Sequence, residues 1–284
     1  INPNIPRVLD NNFISINHID YIVEADTPVA ELPMVSKDLP DEEKTIYEKI
    51  GANIASLIED GSTLQMRIGV IPYAVLPYLT EKNDLGIHTE MFSDGLIDLI
   101  ERGVVNGEKK TFLPGKVVSS FVLGSRSLFD FIDNNPLIEF RSSKEVNDPF
   151  TIARNNKMTS INSAIEIDIT GQVCADSIGS KIYSGFGGQV DFIRGAARSD
   201  GGKPIIAIPS TAKKGQISKI VPYLSKGAGV TTSRADVHYV ITEFGIANLY
   251  GKTIRERVKA LISVSHPTFR EDLEREAREM KYLW

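Results

Sequence analysis

A single cysteine, Cys174, stands in the 284 residues, so an internal disulfide framework and any CxxC metal site are excluded. The four histidines, His18, His88, His238 and His266, form no HExxH pair and no i,i+4 pair, and no metal is expected. No GxSxG elbow is present to support a Ser-His-Asp nucleophile. No run approaches the roughly 20 apolar residues of a membrane helix, and the amino terminus lacks the basic-then-apolar order of a secretory signal. A cytoplasmic location without a membrane partner is therefore expected. Basic residues are in slight deficit, 32 Lys+Arg against 37 Asp+Glu for a net charge of -5, which argues against nucleic acid as a partner.

What is present is a chain 42% hydrophobic, enough for one large core or two unequal domains. The opening INPNIPRVLDNNFISINHIDYIVEADTPVAELP reads as the end of something already folded. Within it His18 to Val23 alternate as a strand would, and prolines then punctuate an exit. Residues 1–38 are accordingly expected to be the end of an amino-terminal domain and a linker, with the rest of that domain missing upstream of Ile1. Pro40-Asp41 is a helix start, and Ile46, Tyr47, Ile50, Ile54, Leu57 and Ile58 follow at helical spacing until Gly61. A domain spanning 39–284 is expected.

Along that domain short apolar runs alternate with amphipathic ones: TLQMRIG, a helix near Ala74 to Leu79, LGIHTE, SDGLIDLIERG, KVVSSFVLG. This is the rhythm of an α/β fold with a mostly parallel sheet flanked by helices. An added β-hairpin is expected where Ile165, Ile167 and Ile169 alternate with Glu166 and Asp168 before Thr170-Gly171 and QVCAD. A helix should run from the glycine cluster YSGFGGQVDF to about Arg198. KPIIAIPS and HYVITEFG read as strands, and Arg255 to Val264 and Phe269 to Leu283 as closing helices.

Carboxylates and glycines remain as candidates for chemistry. Glu90 closes the strand-like LGIHTE, and in α/β sheets ligands bind outside the carboxyl ends of strands. Position alone fits an ordinary solvated loop better than a functional site, and Glu243 in ITEFG has the same position and the same alternative. Gly185, Gly187 and Gly188 let backbone approach a ligand and aim amide N–H groups at an anion near a helix start, or else serve as turn devices. The run Leu64 to Gly69, containing Arg67 and Ile68, is a strand entering a glycine turn.

Taken together, INPNIPR, HIDYIVE, LQMRIGVIPYAV, GIHTEMFSDG, INSAIEIDITGQV, YSGFGGQVDFIRGA, ISKIVPYLS, ITEFGIANLYG and SHPTFREDL make the chain resemble the acetyl-CoA hydrolase/transferase family. Within it the likeness is to the 4-hydroxybutyrate coenzyme A transferases and their butyrate and acetate relatives, and it covers essentially the whole chain. Arg67 departs from the glycine common in the LQxGIG stretch, which bears on the local backbone and the acyl pocket.

The resemblance implies a coenzyme A transferase in which Glu90 is the acyl-accepting nucleophile and passes through a glutamyl-CoA thioester. Coenzyme A would be a substrate, with no tightly bound cofactor, and the partners would be acyl-CoA and short-chain carboxylates such as acetate. It further implies a related amino-terminal domain, and a homo-oligomer is expected. Backbone amides near Gly187, Gly188 and Ile68 are assigned to the oxyanion. Asn162 and Glu243 match polar positions that orient Glu90 or the pantetheine amide, and Gly185 is placed with them in substrate binding. Lys213, Lys214 and Lys219 are plausible contacts for CoA phosphates or else solvated surface. The alternatives are an acyl-CoA hydrolase and a non-catalytic acyl-CoA-binding subunit.

Overall fold

The computed structural model describes residues 1–9, 12–32, 39–66 and 69–284. Helix α1 (Asp41–Leu57) starts at Pro40, carries Asp41, Glu42 and Glu43 in its first turn, and buries Ile50 and Ile54. Acidic residues at that end complement the helix dipole.

Eight strands form the main sheet among the described residues: β1 (Thr63–Gln65), β2 (Gly86–Phe92), β3 (Val117–Val122), β4 (Ile138–Phe140), β5 (Met158–Ser163), β6 (Lys203–Ala207), β7 (Tyr239–Thr242) and β8 (Gly245–Asn248). Their order is β8-β7-β6-β5-β1-β2-β3-β4, and every pairing is parallel except β7 with β8. The chain steps outward from β1 to β4, returns to the other side of β1 as β5, and steps outward again. That reversal opens a crevice at the carboxyl ends of β1 and β5.

Helices cover both faces. One core unites Ile50, Ile54, Leu64, Ile87 and Leu96 under α1, α2 (Val70–Val75) and α3 (Ile97–Glu101). On the other face Val118, Val146, Ile152, Met158 and Phe192 pack beneath α5 (Ser143–Val146), α6 (Pro149–Ala153) and α7 (Gln189–Arg198), helices that follow α4 (Arg126–Ile132). A third core lies under α8 (Ile254–Val264) and α9 (Pro267–Glu279). The expected α/β architecture is the one observed.

The hairpin is present too: Glu166–Asp168 pairs antiparallel with Val173–Cys174. Gly171 turns the chain at φ +97°, where a side chain would be strained, and Asp168 Oδ1 accepts from the amides of Thr170 (2.9 Å) and Gln172 (3.0 Å).

Two expectations differ from the structure. His18 to Val23 form no strand; a 3-10 turn at Ile16–His18 leads into irregular chain with Tyr21 and Val23 exposed. Alternation alone does not make a strand where no neighbouring strand takes up its backbone groups. β2 does not end at Glu90 either, because Met91 and Phe92 continue the ladder opposite Phe121 and Val122 of β3. Arg67 and Ile68 lie outside the described residues, so the expectations placed on them have no structural counterpart here. Among the described residues no helix is long and apolar enough to cross a membrane, and no cluster of His, Cys, Asp or Glu could hold a metal.

Candidate active site

In β2 every residue is buried except Glu90, which is half-buried. A strand covered on both faces is expected to be apolar throughout, so a carboxylate in this one needs partners. Alternation puts His88 and Glu90 on the same face, the one packed against α5 and α7.

The partners come from those two helices. Asn147, the residue that ends α5, donates from Nδ2 to Glu90 Oε1 at 3.1 Å. Gly188, the N-cap of α7, lies against the other oxygen: a Cβ built on it would sit 3.0 Å from Glu90 Oε2 and 2.7 Å from Asn147 Nδ2. Its φ of -83° is open to any residue, so glycine is required here for space alone. The positive end of the α7 dipole and the Asn147 amide together complement the carboxylate's charge.

Two further groups close this environment. Asp191, in the first turn of α7, has its carboxyl pushed above the usual range, first by burial and then by the charge of Glu90, with Asp148 adding and Arg194 opposing. His88 is fully buried and its Nε2 lies 2.8 Å from the Val146 carbonyl. Burial drives its pKa down to about 3, so the ring is neutral.

A cleft of about 630 Å³ opens at the switch point, lined by Gly69 and Val70 after β1, Met91 of β2, Asn162 of β5, Pro209 after β6, and Gly185. Glu90 is not among its lining residues. It stands beside the cleft, one residue from Met91 in β2, with its carboxylate against Gly188, whose neighbour Gln189 also lines it. The turn at Gly185 to Gly187, just ahead of Gly188, is exposed.

Among the described sequence candidates Asn162 and Gly185 line this cleft, and the hydrogen bonds of Asn162 and Glu243 go to groups other than Glu90. Asn162 donates to Gln65 Oε1 at 3.1 Å, and its own Oδ1 is buried with no hydrogen-bond partner among the described residues. Glu243 accepts from Ser210 N at 2.9 Å and Ser210 Oγ at 2.5 Å. The orienting bond to Glu90 thus comes from Asn147, which the sequence reading did not single out; it follows a four-residue helix and reads as loop.

Lys219 lines the cleft and also a neighbouring bay of about 250 Å³ that holds Lys213 and Lys214. Burial lowers the Lys219 pKa to about 8, with Glu243 opposing. The two cavities share Tyr47, Pro209 and Lys219, and so adjoin one another.

The family model for the acetyl-CoA hydrolase/transferase C-terminal domain matches residues 124–277. The chain is 54% identical to a 4-hydroxybutyrate coenzyme A transferase of Clostridium kluyveri, over 98% of this chain and 64% of that protein. It is 47% identical to a succinyl-CoA:cyclohexane-1-carboxylate CoA transferase of Geobacter metallireducens, over 100% of this chain and 63% of that one. The crystal structure of a 4-hydroxybutyrate CoA-transferase from Porphyromonas gingivalis superposes with a TM-score of 0.85 at 46% identity, covering 98% of this chain and 65% of that one. The chain thus spans less than two thirds of the length of these relatives.

Proposed function

The chain belongs to the acetyl-CoA hydrolase/transferase family, and from that premise we propose that it is the nucleophile-bearing part of a coenzyme A transferase. The reaction moves CoA between a short-chain acyl-CoA, such as 4-hydroxybutyryl-, butyryl- or acetyl-CoA, and a carboxylate such as acetate. The observation that carries this reading is the Glu90 carboxylate set between Asn147 Nδ2 and Gly188 beside the cleft at the switch point.

Glu90 attacks the thioester carbonyl, and the tetrahedral oxyanion collapses with loss of CoA thiolate to leave an acyl-glutamyl anhydride. The thiolate then attacks the glutamyl carbonyl, releasing the first carboxylate and leaving a glutamyl-CoA thioester. The second carboxylate attacks that thioester to give a new anhydride and thiolate. Return of the thiolate to the acyl carbonyl forms the new acyl-CoA and frees Glu90. No water is consumed, so the thioester's free energy is kept.

Each tetrahedral step needs donors where charge develops, a single one being worth about 3 kcal/mol. The Asn147 amide, which donates to Glu90, is one such group in this reading, and the backbone N–H groups at Gly187 and Gly188, beside the carboxylate, are the others among the described residues. Asn162, which lines the cleft and has a buried acceptor without a partner among the described residues, suits a pantetheine amide, and Gly185 leaves room for it to pass. Glu243 keeps Lys219 cationic, and Lys219, Lys213 and Lys214 suit the phosphates of CoA. Residues 1–38 serve in this reading as the end of an amino-terminal domain that completes the cleft, within a cytoplasmic homo-oligomer.

The test is incubation of the full chain with acyl-CoA alone, borohydride reduction, and peptide mass spectrometry across Gly86 to Asp94. A reduced or CoA-bearing Glu90, absent from Glu90→Gln, is expected. Thiol release without acetate-dependent exchange and without any adduct would replace transfer by hydrolysis.

A further inference from the structure

His88 shares the Glu90 face of β2 but lines neither of the two cavities described above. Its ring is fully buried, with centroids 6.0 Å from Phe112 and 6.2 Å from Phe192. A carbonyl oxygen only accepts, so the 2.8 Å contact with Val146 O fixes the proton on Nε2. Nδ1 is left as a buried acceptor without a partner among the described residues.

In such a pocket an apolar ring would pack as well and strand no acceptor. What the imidazole adds is one directed N–H. That N–H grips Val146 O, and the same peptide group carries the nitrogen of Asn147, the residue whose side chain reaches Glu90.

Two rungs therefore join β2 to the end of α5, His88 to Val146 and Glu90 to Asn147, about 7 Å apart along the strand. The lower rung is buried and rigid; the upper one is half-buried and must hold its geometry while Glu90 is acylated. The ring also packs on Phe192 of α7, whose amide bonds to Gly188 O at 3.0 Å. All three elements around the carboxylate meet at His88.

We infer that His88 is a positioning residue for Glu90: its Nε2–H holds the Val146 carbonyl and thereby places the Asn147 amide on the carboxylate. This rests on the transferase reading. The competing structural role is a simple cap, because carbonyls in the last turn of a helix lack intrahelical partners and any donor would satisfy this one.

The experiment is a double-mutant cycle in the full chain, with His88→Phe, Asn147→Ala and their combination assayed for acyl-CoA:acetate exchange. His88→Phe keeps the stacking and loses the N–H. It is expected to lower kcat about tenfold with KM for acyl-CoA within about twofold, and the combined variant should be no slower than Asn147→Ala alone within about twofold. His88→Gln, which restores a donor, should recover part of kcat. Losses that multiply in the double variant, or a His88→Phe enzyme with wild-type kcat, overturn the inference. Should His88→Phe not fold, His88→Met takes its place in the cycle. A crystal structure of either variant with Asn147 Nδ2 still on Glu90 overturns the inference whatever the activity. A wild-type chain inactive in exchange overturns the transferase reading instead, and leaves that structural readout standing.

Discussion

Asn147 Nδ2 donates to Glu90 Oε1 at 3.1 Å across 57 residues of sequence. An amide donor fixed on one oxygen of a half-buried carboxylate limits its rotation. In the proposed reaction it would also stand where negative charge passes to and from the glutamyl carbonyl, serving both orientation and charge stabilisation.

Asn147→Ala is expected to lower kcat about 10²- to 10³-fold, as loss of one preorganised donor does, while leaving KM for acyl-CoA nearly unchanged. Asn147→Asp should be at least as slow, since it sets a second carboxylate against Glu90. Steady-state kinetics of both variants check this; a rise in KM alone would reduce Asn147 to a binding role.

Gly188→Ala tests the space beside the carboxylate. The added Cβ falls 2.7 Å from Asn147 Nδ2 and 3.0 Å from Glu90 Oε2, so one of the two must shift. A misplacement of about 1 Å is enough for a loss on the order of 10²-fold in kcat. Because the backbone at Gly188 is unstrained for alanine, the melting temperature should change little, and a large drop in it would mean that the clash unfolds α7.

Acid stability should report His88. Its folded pKa of about 3 lies below the ordinary 6.5, with burial as the main cause and Lys110 and Arg141 adding. Between those values the unfolded chain binds the proton and the folded one does not, so stability falls as pH drops through 6.5 toward 3. From pH 7 to pH 5 this one group accounts for a loss of about 2 kcal/mol. Urea midpoints should therefore fall less over that interval in His88→Phe than in wild type; equal losses would show that the histidine does not titrate this way.

Lys219 should report itself from the other side of neutrality. Its pKa of about 8 means that the ammonium is present below that pH and lost above it. If it meets a CoA phosphate, KM for acyl-CoA should rise between pH 7 and 9 in wild type. In Lys219→Met it should be raised throughout and flat; a wild-type KM independent of pH over that range would remove Lys219 from the binding surface.

Most candidates legible in the sequence were those carried by local pattern. Glu90 and Glu243 near strand ends and the glycines ahead of α7 follow from where strands and helices begin and stop, whereas Asn162 came only from the family resemblance. Asn147 had no such signal. It follows the short helix Ser143–Val146, and nothing in its neighbours distinguishes it from a surface turn. Lys219 reads in the sequence either as a contact for CoA phosphates or as solvated surface; it lies partly buried, lining both cavities, with its Nζ donating to Ala164 O at 3.2 Å.

By itself the sequence determined the alternation of strands and helices, the hairpin at Gly171 and the place of Glu90 in β2, because propensity, period and turn chemistry act over a few residues. The tertiary structure alone decided which strands are neighbours, and hence that the crevice opens between β1 and β5. It also decided that α5 delivers Asn147 to Glu90 with His88 holding the joint. Those outcomes depend on packing between segments 57 and 58 residues apart, where the deciding terms are burial and fit across the sheet, and no local pattern encodes them.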